Sequence, residues 1–180
     1  MKVISGLLKG RNIEGFNIEG TRPTMDRVKE SIFSTIQFEI RDSIVLDLFA
    51  GSGNLGIEAI SNGASKCYFV DNNKIAINTI NKNIKTFNIE DKSIIIRNDY
   101  MNALDSLRNT IFDIVFLDPP YKDNYIDSSI KFLLKNNMLN DEALIICEYD
   151  KDINHEYDLL EEKKTKKYGD KFVTIFKKIC

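Results

Sequence analysis

Short apolar runs alternate with longer amphipathic stretches along most of this chain. Five of the runs are rich in branched or aromatic residues and end at turn signals, which is typical of strands buried on both faces of a sheet. They are residues 44–49, 67–71, 93–97, 112–117 and 143–147. Helical spacing of apolar positions predicts intervening helices at residues 55–61, 72–87 and 125–135. This alternation predicts an α/β fold with a doubly wound, mostly parallel sheet.

The C-terminal part departs from the alternation. Residues 157–167 and 172–179 are extended-looking segments on either side of a turn at 168–171. A hairpin of this kind places antiparallel strands at the edge of the sheet. The predicted sheet therefore has seven strands.

The N-terminal part predicts a small appendage. Residues 2–5 and 11–13 form a short hairpin in this interpretation, and apolar spacing predicts a helix over about residues 25–38. The basic residues near this helix form either a solvated surface or a contact with RNA. We expect one domain over residues 1–180, with residues 1–41 as the appendage and 42–180 as the α/β core.

A glycine-rich turn follows the first predicted strand. Gly51 and Gly53 have no Cβ, so the backbone can adopt positive φ and approach a ligand, and the next helix directs its N–H groups to the same place. Asp47 is a carboxylate within a buried run, which favours a cationic or donor-rich ligand. The spacing to Gly56, with Asp71 about twenty residues after the turn, also fits a dinucleotide site. The turn therefore predicts a small-molecule site without choosing its ligand.

Composition excludes several classes of protein. A net charge of −2 excludes a polycation, so any nucleic acid must bind to a local basic surface. Three widely spaced cysteines argue against a disulfide framework and a zinc site, and favour a reducing compartment. No apolar stretch resembles a signal peptide or a membrane span. We expect a cytoplasmic monomer with no metal ion and no membrane partner.

Carboxylates recur at the ends of the predicted strands. Asp47, Asp71, Asp99 and Asp118 all lie at or near carboxyl ends, where an open α/β sheet has its ligand crevice. Helix capping explains any one of them, but four such residues favour a shared crevice. We expect Asp71 to accept hydrogen bonds from ribose hydroxyls and Asp99 to accept one from an adenine amino group.

The sequence Asp118-Pro119-Pro120-Tyr121 predicts the chemistry. Two prolines remove two backbone donors and stiffen the loop, so its carbonyl groups can only accept hydrogen bonds. Together with the Asp118 carboxylate they can hold the protons of an exocyclic base amine, while Tyr121 offers a flat face to the base. Such acceptors favour the charge that develops on nitrogen when the amine attacks an activated methyl group.

These motifs resemble the class I, Rossmann-like methyltransferases that use S-adenosylmethionine and modify exocyclic amines. With the segment Gly20-Thr-Arg-Pro-Thr-Met-Asp-Arg-Val-Lys-Glu, the chain resembles more narrowly the RsmD family of 16S rRNA guanine-N2 methyltransferases. The resemblance implies a small-subunit rRNA substrate, either free or in a partly assembled subunit. It implies a target-base site at Asp118, Pro119, Pro120 and Tyr121. It implies a cofactor site at Asp47, Phe49, Gly51, Gly53, Asp71, Asn72, Asp99 and Tyr100, and RNA contacts at Arg22, Thr24 and Arg27.

Other enzyme classes remain open at this point. The same acceptor loop suits adenine N6 or cytosine N4 of another RNA or of DNA, although the chain has no room for a separate DNA-recognition domain. Methylation at cytosine C5 needs a nucleophilic cysteine, and Cys67 and Cys147 lie within predicted strands. A nicotinamide-dependent oxidoreductase or a plain nucleotide-binding module also fits the glycines, but the Asp-Pro-Pro-Tyr loop has no function in hydride transfer.

Two further groups of residues are read as surface. His155 is expected to be exposed and neither a base nor a ligand. A lysine cluster at positions 163, 164, 166, 167 and 171 either contacts phosphate groups or protects an exposed edge strand, and we favour the edge strand.

Overall fold

The computed structural model describes residues 1–16, 26–120 and 124–180. Its strands are β1 (Ile44–Asp47), β2 (Lys66–Asp71), β3 (Ser93–Arg97), β4 (Phe112–Leu117), β5 (Leu139–Tyr149), β6 (Leu160–Tyr168) and β7 (Lys171–Lys178). Its helices are α1 (Asp26–Thr35), α2 (Asn54–Ser61), α3 (Lys74–Phe87), α4 (Tyr100–Ser106) and α5 (Tyr125–Lys135). The predicted residues Arg22, Thr24 and Tyr121 lie outside the described part.

All seven strands form one sheet in the order β3-β2-β1-β4-β5-β7-β6. The first five strands are parallel to one another, whereas β7 is antiparallel to both β5 and β6. The predicted Rossmann-like fold with an antiparallel C-terminal hairpin is confirmed. Because the parallel strands run the same way, their carboxyl ends meet along one edge of the sheet, and the chain order reverses between β1 and β4.

Two apolar layers cover the sheet. Helices α1, α2 and α3 pack on one face, and α4 and α5 pack on the other. Side chains along each central strand alternate between the two layers, as the strand period of two requires, so that Val45 joins the first layer and Leu46 the second. The central strands are thus buried on both sides, which explains why they are nearly continuous apolar runs.

The structure corrects several of the predicted elements. Strand β5 begins at Leu139, four residues before the predicted start, because Leu139 already pairs with Phe112 of β4; a bulge over residues 140–143 separates this pair from the next one, Leu144 with Ile114. Helix α4 was not predicted at all. Helix α1 ends at Thr35, before Phe38, whose side chain is 87% exposed.

The N-terminal segment is attached more closely than the predicted hairpin suggests. It has a single antiparallel bridge between Lys2 and Asn12. Residues 4–8 instead lie on α2, where the backbone passes so near Ser61 that a Cβ on Gly6 would stand 1.9 Å from the Ser61 carbonyl oxygen. Glycine at position 6 is therefore required by this close approach.

Candidate active site

The two predicted ligand loops lie side by side because β1 and β4 are neighbours. Asp47 pairs with Phe116 across these strands, and the Leu48 N–H donates to the Phe116 carbonyl at 3.2 Å, so pairing continues to the strand ends. Asp118 follows two residues after Phe116 and is half-buried. Pro119 is buried and Pro120 is exposed. The acceptor loop therefore begins at the same edge as the glycine turn, in the centre of the sheet.

The glycine turn has the predicted backbone. Gly51 and Gly53 both have positive φ, 57° and 83°, and Gly53 is the N-cap of α2 without any side-chain cap. A Cβ added to Gly51 would meet nothing nearer than the Phe16 ring at 4.0 Å. There is thus space beside Gly51, and the N–H groups of the first turn of α2 lack acceptors within the helix.

Gly56 has a different function from the other two glycines. A Cβ at this position would stand 2.3 Å from the Phe69 ring and 2.6 Å from the Cys67 sulfur. Its absence allows α2 to pack tightly on β2. The third glycine of the motif therefore serves helix–sheet packing and not contact with a ligand.

Asp47 lies beneath the glycine turn and is only 2% exposed. Its Oδ2 accepts a hydrogen bond from the Gly56 N–H at 3.0 Å, which fastens the start of α2 to the end of β1. Burial raises the pKa of Asp47 to about 7; the Gly56 hydrogen bond opposes this shift, and the negative charge of Asp71 adds to it. Asp47 was predicted to pair with a ligand, but in the structure the Gly56 N–H already donates to its carboxylate.

Asp71 links the second strand to the glycine turn. One carboxylate oxygen accepts from the Gly51 N–H at 2.9 Å and the other from the Asn73 N–H at 2.8 Å. Burial raises the pKa of Asp71, while these backbone hydrogen bonds lower it. Asn72, beside it, is exposed. A carboxylate has about four acceptor positions, so these two bonds leave room for ribose hydroxyls.

Asp99 caps helix α4. Its Oδ1 accepts from the Met101 N–H at 3.0 Å and from the Asn102 N–H at 3.3 Å, and the side chain is exposed. Helix capping was not expected to explain all of these carboxylates. Asp47, Asp71 and Asp99 nevertheless each accept hydrogen bonds from backbone N–H groups of nearby turns or helix ends. Each still lies at the shared edge of the sheet, as predicted.

Three aromatic rings meet at this edge. Phe49 follows β1, Tyr100 begins α4, and Tyr125 begins α5. The ring centroids are 5.5 Å apart for Phe49 and Tyr100, 5.7 Å for Phe49 and Tyr125, and 4.9 Å for Tyr100 and Tyr125. Phe49 and Tyr100 were predicted, whereas Tyr125 was missed. The position of Tyr125, shortly after the acceptor loop in the sequence, could have indicated that it lies at this edge.

A buried ion pair lies behind the turn and was also missed. Lys29 and Glu58 are both 0% exposed, and the Lys29 ammonium lies 3.1 Å from the Glu58 carboxylate. The ammonium also donates to the Lys2 carbonyl at 2.6 Å and to Asn54 Oδ1 at 2.9 Å. Lys29 is therefore neither a solvated residue nor an RNA contact, whereas the neighbouring Arg27 is exposed.

The described residues fit S-adenosylmethionine. The space beside Gly51 suits a close-lying ligand, and the acceptors Asp71 and Asp99 match the hydroxyl and amino donors of a nucleoside. Asn54, in the first turn of α2, has a buried Nδ2 that finds no hydrogen-bond partner within the described ranges. Over these same ranges, no group of His, Cys, Asp and Glu side chains is arranged to hold a metal ion.

The remaining candidates lie away from this edge or are engaged elsewhere. The β6 lysines are on the outermost strand of the sheet, where Lys163 pairs with Glu39 at 2.9 Å and Lys164 donates to Thr35 at 2.9 Å. His155 was predicted to be exposed but is partly covered, because its ring contacts Glu162 at 2.7 Å.

The structure describes the environment of two cysteines and the length of the helices. Cys67 and Cys147 are buried, and burial raises the pKa of both thiols, so neither is a reactive thiolate. Among the described helices, none combines the length and apolarity needed to cross a bilayer.

The fold and the paired loops define a Rossmann-like methyltransferase of class I. A family model described as Conserved hypothetical protein 95 matches residues 1–177, and the chain belongs to that family, which confirms the predicted resemblance to RsmD.

Individual relatives agree with this assignment. Bacillus subtilis YlbH is 40% identical over 182 residues, which is 99% of each chain. Haemophilus influenzae "Ribosomal RNA small subunit methyltransferase D" is 39% identical over 173 residues, which is 92% of this chain and 89% of that protein. The solved structure of Escherichia coli yhhF has a TM-score of 0.90 at 29% identity and covers 99% of this chain and 98% of its own.

Proposed function

We propose that this protein transfers the methyl group of S-adenosylmethionine to the exocyclic N2 amine of a guanine in small-subunit ribosomal RNA. The observation that carries the proposal is the position of the Asp118-Pro119-Pro120 loop beside the glycine turn. One loop suits a base amine and the other suits the cofactor. The relatives named for small-subunit rRNA supply the substrate.

The cofactor site in this proposal is the set predicted from the sequence. S-adenosylmethionine, when bound, supplies an activated methyl group on a sulfonium. The turn at Gly51 and Gly53 approaches the ligand closely, and Asp71 and Asp99 accept hydrogen bonds from its nucleoside half. Phe49 and Tyr100 form an apolar wall, the exposed Asn72 contacts the ligand beside Asp71, and Asp47 holds the start of α2 in place.

The acceptor loop acts on the target amine. The guanine N2 lone pair is delocalised into the ring, so the amine is a poor nucleophile until its nitrogen becomes pyramidal. The Asp118 carboxylate and the carbonyl groups around Pro119 and Pro120 hold the amine protons and stabilise the positive charge that develops as nitrogen gains the methyl group. The bond between that methyl group and sulfur breaks, S-adenosylhomocysteine would leave, and the nitrogen gives one proton to the Asp118 carboxylate. Tyr121 completes the base site in this proposal.

The base must leave its helix to reach this loop. N2 of guanine is shielded in a duplex, so the substrate is a loop nucleotide or a flipped one. We assign Arg22, Thr24 and Arg27 to contacts with the RNA. The chain is near neutral, so its overall charge contributes little to RNA binding. We therefore expect a partly assembled subunit to be the preferred substrate, because ribosomal proteins add a surface whose shape the chain can recognise.

The test of the chemistry is the Asp118→Ala variant. Methyl incorporation into small subunits from cells lacking the protein should fall about 100-fold or more, because developing charge on the amine is no longer stabilised. Affinity for S-adenosylhomocysteine, measured by calorimetry, should change by less than about twofold. The matched control is Asp91→Ala, which removes an exposed carboxylate at the amino end of β3, on the opposite edge of the sheet.

Three outcomes would contradict parts of the proposal. Activity of Asp118→Ala close to that of the control would remove Asp118 from the reaction. Mapping of the modified nucleotide to adenine N6 or cytosine N4 would replace the guanine assignment. Equal methylation rates on protein-free rRNA and on a partly assembled subunit would remove the preference for the particle.

A further inference from the structure

Asn83 lies at the centre of α3 and is only 2% exposed. Its side-chain amide bonds to both the N-terminal segment and the glycine turn. Its Oδ1 accepts from the Glu14 N–H at 2.9 Å, and its Nδ2 donates to the Glu14 carbonyl at 2.9 Å. The same Nδ2 also donates to the Ser52 carbonyl at 3.0 Å. One amide therefore joins three segments that are far apart in sequence.

The bond to Ser52 fixes the middle of the glycine turn. On one side of Ser52 the Gly51 N–H is held by Asp71 at 2.9 Å. On the other side the Gly53 N–H is held by the Ala50 carbonyl at 2.8 Å. Glycines leave this backbone intrinsically free to adopt many conformations, so each such bond removes freedom that a ligand would otherwise have to remove on binding.

The two hydrogen bonds between Asn83 and Glu14 link the position of the Ser52 carbonyl to the N-terminal segment. Both the N–H and the carbonyl of Glu14 face Asn83, as in a short stretch of sheet. Two residues later, the ring of Phe16 approaches the position that a Cβ on Gly51 would occupy, at 4.0 Å. The segment 1–16 is thus connected to the glycine turn indirectly through Asn83 and directly by the Phe16 ring beside Gly51.

We propose that Asn83 is a positioning residue for the cofactor, which holds the Ser52 carbonyl and so preorganises the glycine turn to bind S-adenosylmethionine. The proposal rests on the assignment of this turn as the cofactor site. In it, the N-terminal segment is a structural part of the cofactor site and not an appendage. Asn83 touches neither the ligand nor the target base.

The test compares Asn83→Ala and Asn83→Asp with the unchanged protein. The Ala variant removes both donors, and the Asp variant keeps the acceptor for Glu14 but turns a carboxylate toward two carbonyl oxygens. Each should weaken S-adenosylhomocysteine binding, measured by calorimetry, about tenfold or more, which is the range for loss of a buried hydrogen bond. The KM for S-adenosylmethionine should rise equally, while kcat and the KM for RNA stay within about twofold.

The matched control is Lys82→Ala. Lys82 precedes Asn83 and pairs with the same Glu14 at 2.7 Å, but through exposed side chains and without touching the turn. It should leave ligand affinity unchanged. Amide hydrogen exchange of residues 51–53 should accelerate in Asn83→Ala and not in Lys82→Ala, a readout that is independent of activity.

The outcomes separate this inference from the proposed function. If the unchanged protein does not bind S-adenosylhomocysteine, the proposed cofactor site itself fails. If it binds but Asn83→Ala binds equally well, only the role of Asn83 is overturned. A fall in kcat and stability with unchanged cofactor affinity would also overturn it, because that pattern belongs to a purely structural residue. If Asn83→Asp does not fold, Asn83→Ala alone decides.

Discussion

Breaking the buried ion pair between Lys29 and Glu58 should cost far more than breaking a surface pair. The substitution Lys29→Met leaves the Glu58 carboxylate without its cation at a site with no exposure. The Ile4 and Ser5 N–H groups still donate to that carboxylate, at 3.1 and 2.9 Å, but they cannot replace a full charge. We expect a loss of about 3–5 kcal/mol in the free energy of unfolding.

The reverse substitution should have a similar effect. Glu58→Gln leaves the Lys29 ammonium with two neutral acceptors, the Lys2 carbonyl and Asn54 Oδ1, and with the more distant, exposed Asp26 carboxylate at 3.9 Å, again at a cost of about 3–5 kcal/mol. The double variant contains neither buried charge, and the amide introduced at position 58 can still accept from the N-terminal backbone. It should therefore lose about 3–5 kcal/mol in total, and not the sum of the single losses, which gives a coupling energy of about 3 kcal/mol or more.

The assay is urea unfolding followed by circular dichroism, at low salt and in high salt of about 1 M NaCl. Salt should change the coupling little, because a buried pair is poorly screened. The exposed pair between Lys82 and Glu14 is the control, with an expected coupling of less than about 1 kcal/mol that falls further in salt. Additive single losses at Lys29 and Glu58, or single losses below about 1 kcal/mol, would refute this reasoning.

Two smaller predictions concern the strand and helix that frame the glycine turn. Because burial raises the pKa of Asp47 to about 7, its contribution to stability is full below about pH 4 and is lost as the pH rises to 7. Asp47→Asn should therefore be more stable than the unchanged protein at about pH 8, by up to about 4 kcal/mol, and similar at about pH 4, as measured by urea unfolding; an unchanged difference across this range would contradict it. Gly56→Ala should cost about 1–3 kcal/mol or more, because its methyl group overlaps the Phe69 ring. Gly15→Ala, which meets only the flexible end of Met1, should cost less in the same urea unfolding measurements.

The sheet could be predicted because its signals are local. Four of the five parallel strands begin within a residue of the expected position, since a strand buried on both faces is an apolar run that ends at a turn. Helix α4 was not predicted from the sequence because it has seven residues and buries only Ala103 and Leu104, which are too few for a periodic pattern. The start of β5 escaped because its first residues after Leu139 are polar and exposed.

Residues of the candidate site could be proposed from the sequence where a short local motif contains them. The short run of Asp118, Pro119 and Pro120 indicates a loop of hydrogen-bond acceptors, and the glycines indicate a turn. Lys29 and Asn83 look like ordinary polar positions on amphipathic helices, yet each is buried by a segment far away in sequence, 27 residues for Lys29 and 69 for Asn83. No periodicity distinguishes them, because the burial arises from tertiary contacts and not from the helix itself.

The first sixteen residues obtain their partners late in synthesis. Ile4 and Ser5 bond to Glu58, and Glu14 bonds to Asn83, across separations of 54, 53 and 69 residues. Long separations of this kind slow folding, because a large loop must close before the contact forms. On the ribosome, Ile4 and Ser5 can therefore dock only after α2 has left the exit tunnel, and Glu14 can reach Asn83 only after α3 has followed, so the contact next to the glycine turn is completed last.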